Sequence, residues 1–129
     1  MKLNGILCGL LFMSEEDGTV GEVRNQTISK AIQYIRKHYK ECIGVKDVAE
    51  EVGLSLYHFS RLFKKETGCA PHDFIVIMRM NAAKKLLKTT ELSIEEIALK
   101  IGYEYSASFV TAFTRRVGVT PKKFRDMPV

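Results

Sequence analysis

Arg61 follows Tyr57 by four residues within GLSLYHFSRLFKKETG (Gly53–Gly68), and this pair has the most suggestive chemistry in the chain. On a 3.6-residue repeat Tyr57, Ser60, Arg61 and Lys64 share one face, with Leu56 beside them, while Phe59, Leu62 and Phe63 share the other. A guanidinium is a planar fork of N–H donors. It matches a surface that offers two acceptors side by side, such as a phosphate or the edge of a purine base. A merely solvated helix face seldom joins that fork to an aromatic ring.

No other group of reactive side chains competes with this one. Glu50 with Glu51, and Glu95 with Glu96, are adjacent carboxylates, but neighbours on a helix point about 100° apart. No histidine or serine is placed to work with either pair, so no catalytic constellation is expected and the chain is not read as an enzyme. The three cysteines (Cys8, Cys42, Cys69) show no C-x-x-C pairing, and their odd number argues against a disulfide framework. They read as reduced thiols. His38, His58 and His72 lie too far from them in sequence to make a ligand set by spacing, so neither metal nor cofactor is implied.

The elements that must carry Arg61 are legible in the same stretch. Ser55 can accept an N–H bond from the first turn of a helix, and Gly68 can end that helix in a left-handed conformation. With 129 residues the chain forms one or two small domains. A formal charge of +5 points to a polyanionic partner, nucleic acid before an anionic membrane. The opening MKLNGILCGLLFM holds an apolar run too short to span a bilayer, with no small-x-small cleavage pattern before Ser14. It reads as an apolar helix at Leu3–Met13, followed by a flexible acidic connector over Ser14–Gln26. This pairing suggests the C-terminal piece of a longer chain, with a small complete protein as the alternative reading.

Laid against itself, the chain repeats. VKDVAEEVG (Val45–Gly53) matches IEEIALKIG (Ile94–Gly102) at an offset of 49, pairing Val48, Ala49, Val52 and Gly53 with Ile97, Ala98, Ile101 and Gly102. After one inserted residue, Phe59, Phe63, Gly68, Pro71 and Phe74 pair with Phe109, Phe113, Gly118, Pro121 and Phe124. Each copy reads as a helix, a glycine turn and a second helix. A small alanine stands where the helices must cross closely, which is the helix-turn-helix pattern. Val48, Ala49 and Val52 are expected in the first core, and Ser93 with Glu96 forms a capping box in the second copy. Between the copies PHDFIVIMRMNAAKKLLK (Pro71–Lys88) places Phe74, Ile77, Met78, Ala82 and Leu86 at helical spacing. A helix of that size is roughly 27 Å long, suited to presenting two helices to major grooves about 34 Å apart. A further helix near Thr27–Tyr39 places Ile28, Ala31, Ile32 and Ile35 on one stripe and supports the first copy. Arg79, among apolar neighbours, is expected to make a structural ion pair or helix-end contact.

The stretches LSLYHFSRLFKKETG, MRMNAAKKLLKTTELSIEEIALKIGY and SFVTAFTRRVGVTPKKFR resemble the C-terminal DNA-binding domain of the AraC family of bacterial transcription regulators. The resemblance covers roughly residues 26–125. It implies an all-α fold of about seven helices, with two helix-turn-helix subdomains joined by a long central helix. Residues 1–25 would be an apolar helix and linker left from a missing upstream domain. Residues 26–70 would form the first subdomain, 71–88 the connector and 89–129 the second subdomain. The implied function is sequence-specific DNA binding in transcription, with two recognition helices in successive major grooves of double-stranded DNA. RNA polymerase is the further partner implied, no membrane is involved, and an effector ligand would bind only in the missing domain. The cytoplasm is the expected location.

Within that frame Leu56, Tyr57, Ser60 and Arg61 are the expected base-reading residues of the first copy. Arg61 can bond both O6 and N7 of guanine, and Leu56 can meet a thymine methyl. Lys64 and Lys65 are expected on phosphates, where they add affinity without sequence information. The second copy departs from the family pattern. Its expected readers, Ser106, Ala107, Val110 and Thr111, include no long hydrogen-bonding side chain, and Thr114 stands where the family usually has a lysine. Arg115, Arg116, Lys122 and Lys123 are therefore expected to hold phosphates while this copy discriminates less. Two other readings stand beside this one: a nonspecific or architectural DNA binder using the same basic face, and a helical protein-interaction module in which the +5 charge is incidental.

Overall fold

The computed structural model describes residues 25–128. The apolar helix expected at Leu3–Met13 and nearly all of the expected connector lie outside the described residues. The connector's last two positions do not. Asn25 Oδ1 accepts from the backbone N–H of Thr27 at 2.9 Å and of Ile28 at 3.2 Å, so Asn25 starts a helix of which Gln26 is the first residue.

Seven helices make up the described residues: α1 Gln26–His38, α2 Val45–Glu51, α3 Leu56–Thr67, α4 Pro71–Thr89, α5 Ile94–Lys100, α6 Ser106–Val117 and α7 Pro121–Asp126. They divide into two compact units. The first holds α1 and Ile43–Ile77, and the second holds Tyr39–Cys42 with the chain from Met78 onward. The all-α architecture with a long central helix matches the expectation.

In the first unit α1 buries Ile28, Ala31, Ile32 and Ile35, the stripe expected from its periodicity. Val48 and Ala49 of α2 and Phe59 and Phe63 of α3 complete the core with Phe74 of α4. Phe59 lies 5.5 Å from Phe63, and Phe63 lies 5.6 Å from Phe74, centroid to centroid. The second unit repeats this chain of rings. Phe109 to Phe113 is 5.7 Å and Phe113 to Phe124 is 5.5 Å, both edge to face. Ala49 and Ala98 are each about 1% exposed, as a close helix crossing requires.

Three core expectations need correction. Leu62 and Val52 are half-buried rather than buried. Val52 is the cap residue just past the end of α2, where the chain leaves the helix, and Leu62 sits at the margin of the apolar arc of α3. Along α4 the buried residues are Pro71, Phe74, Ile75, Val76, Arg79, Met80, Ala83 and Leu87, while Ile77, Met78, Ala82 and Leu86 are only half-buried. The two halves of α4 pack into separate cores, so no single phase runs its full length. Cys42 is a free thiol. Cys69 is disulfide-bonded, against the expectation of three reduced thiols.

The end of the second unit is fastened by cations. Arg125 donates from Nε to Leu87 O at 3.1 Å and from Nη2 to Thr90 O at 3.2 Å, covering carbonyls that the end of α4 leaves open. Lys88 Nζ lies 4.9 Å above the Phe124 ring and donates to Met127 O at 2.5 Å. These contacts hold α7 against α4 within that unit.

Candidate nucleic-acid interface

Each unit aims its second helix by means of a cap and a turn. Ser55 Oγ accepts from the His58 N–H at 3.1 Å and starts α3, which ends at Gly68 with φ of +86°. Tyr105 occupies the corresponding cap of α6 and makes no side-chain hydrogen bond there. Ahead of α6, Ser93 Oγ accepts from Glu96 N–H at 3.0 Å while Ser93 N–H donates to Glu96 Oε1 at 2.8 Å, the expected capping box of α5. That bond from the Ser93 backbone is the main reason the Glu96 carboxyl sits below its usual range.

The turn between α5 and α6 is held by Arg79. Its guanidinium is 8% exposed and donates from Nε to Tyr39 O at 2.9 Å and from Nη2 to Glu41 O at 2.8 Å. The helix-end contact, one of the two expected roles, is made just beyond the last residue of α1. The same guanidinium stacks 5.2 Å from the Tyr103 ring centroid. Burial pushes the Tyr103 phenol up, against the downward pull of Arg79. Gly102, at φ +104°, lies directly against this network, and Cys42 Sγ donates to its carbonyl at 3.3 Å. A Cβ at Gly102 would stand 2.7 Å from Tyr39 O, 2.8 Å from Arg79 Nε and 2.9 Å from Glu41 O.

On α3, Leu56, Tyr57, His58, Arg61, Lys64 and Lys65 are exposed, with Tyr57 at 71%, while Ser60 is half-buried. Arg61 Nη1 donates to Tyr57 Oη at 2.8 Å, and the guanidinium carbon lies 5.3 Å from the Tyr57 ring centroid. A local pair of this type, four residues apart, needs no other element to form. On α6 the exposed residues are Ala107, Ser108, Thr111, Arg115 and Arg116, while Ser106 and Val110 are half-buried. Ala107, Ser108, Thr111, Ala112 and Arg115 line one shallow concave strip. Thr114 is half-buried, and its Oγ1 is closed off from solvent without a hydrogen-bond partner among the described residues. Lys122 and Lys123 stand exposed on the first turn of α7.

His58 and Ser108 were not among the sequence candidates. Both are exposed, and the offset of 50 that pairs Phe59 with Phe109 also pairs them. Following the outward arc one residue past Tyr57 and Ala107 would have found both. The strip also takes in Arg115, expected only on phosphate, because it lies four residues beyond Thr111 on the same face.

Among the described residues no helix is long and apolar enough to cross a membrane. A helix-turn-helix domain family matches residues 48–127. The lactose operon transcription activator of Staphylococcus xylosus is 32% identical over 104 residues, which cover 81% of this chain and 37% of the activator. The chain spans about a quarter to under a half of the curated relatives it matches. The C-terminal domain of the two-component response regulator yesN from Fusobacterium nucleatum superposes with a TM-score of 0.77 at 32% identity, covering 79% of this chain and 100% of that one. The DNA-binding domain of AdpA, a global transcriptional factor solved with a target DNA, superposes with a TM-score of 0.72 at 26% identity, covering 76% and 88%.

Proposed function

Because this chain belongs to the AraC-type helix-turn-helix family, we propose that it is the DNA-binding part of a transcription regulator whose α3 and α6 enter successive major grooves. The observation that carries this reading is the repeated arrangement itself. Two helix-turn-helix copies turn the same helical face outward, and that face bears Tyr57, His58, Arg61 and Lys65 in one copy and Ala107, Ser108, Thr111 and Arg115 in the other. Arg61 is the principal base reader, donating its fork to guanine. Leu56, Tyr57 and Ser60 act beside it. Ala107 and Thr111, with Ser106 and Val110 at the margin, read the second half-site through methyl contacts and single hydrogen bonds. Lys64, Lys65, Arg115, Arg116, Lys122 and Lys123 supply the phosphate contacts that give affinity and salt dependence.

The domain works by binding. RNA polymerase is the partner through which a bound regulator acts, and the cytoplasm is where both are met. Selection from random double-stranded DNA tests the reading: two half-sites about one helical turn apart are expected, the first more sharply defined. The cognate-to-random affinity ratio at fixed salt should reach about 10³ or more. A ratio near one would leave a nonspecific binder in its place. In vitro transcription from a promoter carrying the selected site then tests the polymerase link, since a regulator must change transcript yield.

A further inference from the structure

We infer that Tyr57 is a positioning residue for Arg61, and that the two side chains together set the preference for one guanine in the first half-site. The inference rests on the DNA-reading role proposed above for α3. Arg61 has five N–H donors on a long flexible stem, and a free arginine loses much of its rotamer freedom on docking to a base. Here one donor is already committed. Nη1 donates to Tyr57 Oη at 2.8 Å, and the ring lies beneath the guanidinium with its centroid 5.3 Å from the central carbon. With Nη1 turned to the phenol, donors on the other edge of the plane stay available for a pair of acceptors such as O6 and N7 of guanine. The phenol oxygen accepts this hydrogen bond, which fixes the orientation of the guanidinium plane. The result is a row of donors held in one orientation.

The pair can play this role because neither side chain belongs to the buried core among the described residues. Tyr57 is 71% exposed, Arg61 is exposed, and the core rings Phe59 and Phe63 lie on the opposite face. The helix start is capped separately by Ser55. The second unit supplies the contrast, since Ala107 and Thr111 occupy the equivalent positions on α6 and cannot make such a pair.

The test is a complete single-base-pair affinity profile of the selected site, measured for the full chain and for Arg61→Ala, Tyr57→Phe and the double variant. Tyr57→Phe keeps the ring and removes only the hydroxyl. Arg61→Ala should abolish the preference at one G·C pair, a loss of about 10- to 100-fold. Tyr57→Phe should weaken the preference at that same pair by about three- to tenfold and leave the other positions unchanged. In the double variant the profile should match that of Arg61→Ala, because a positioning residue has no effect without the group it positions. The inference is overturned if Tyr57→Phe leaves that preference intact, lowers affinity equally at every position, or adds independently to Arg61→Ala. If the unsubstituted chain shows no base preference at all, the DNA-reading role itself has failed, a result distinct from any of these.

Discussion

Replacing Gly102 by alanine should destabilise the second unit far more than replacing Gly53 does the first, although both glycines end the turn of the same repeated motif. At Gly53 the backbone has φ of +76° and an added Cβ meets nothing within 4 Å. Gly53→Ala therefore bears only the left-handed strain of an L-residue, about 1–2 kcal/mol. At Gly102, φ is +104° and the Cβ would lie 2.7 and 2.9 Å from the carbonyl oxygens of Tyr39 and Glu41. These are backbone atoms and cannot swing aside as a side-chain tip can. They are also the acceptors of the buried Arg79 guanidinium, at 2.9 and 2.8 Å. Relieving the clash moves at least one of them away from a charged donor, which costs about 1.5–3 kcal/mol on top of the strain. The expected totals are about 2.5–5 kcal/mol for Gly102→Ala and about 1–2 kcal/mol for Gly53→Ala. Urea unfolding followed by circular dichroism, with the two variants fitted side by side, measures the difference. Combining Gly102→Ala with Arg79→Met should give less than the sum of the single effects, since both act on one network. If the two glycine variants agree within about 0.5 kcal/mol, the close approach is not what Gly102 is for.

Three further outcomes follow from the same geometry. Phe63→Ala, which empties a fully buried ring site, should lose about 3–5 kcal/mol in the same unfolding assay, and the half-buried Leu62 beside it should lose clearly less on truncation. Lys64→Ala and Lys65→Ala should each lower the slope of log affinity against log salt by about 0.9 without changing which bases are preferred, as read by binding titrations at several salt concentrations. The Glu96 carboxyl is held below its usual range by the Ser93 hydrogen bond, so its charged form favours the folded state. That contribution is complete above the ordinary glutamate range and is lost as pH falls through the lowered value. Unfolding measured from about pH 7 down to about pH 3 should show Glu96→Gln less stable than the unsubstituted chain at the upper end, with the gap closing at the lower end.

Much of this protein could be read without coordinates because the decisive signals are local. Ser55, Ser93 with Glu96, and Gly68 mark helix ends through bonds that reach three or four residues. The matched phenylalanines at an offset of 50 declare two copies of one motif before either is seen folded. The Tyr57–Arg61 pair is local too, since four residues of helix bring the two side chains together. The sequence by itself therefore determined the helices, their repeat and the family. Tertiary structure decided how similar residues differ in their surroundings. Gly53 and Gly102 are equivalent in sequence, yet only Gly102 has carbonyl oxygens packed against it. Those carbonyls and the Arg79 that holds them meet across separations of 40 and 38 residues. Likewise Leu62 carries the right phase for a core but falls at its margin, because helical phase gives the direction of a side chain and only the neighbouring helix determines whether anything covers it.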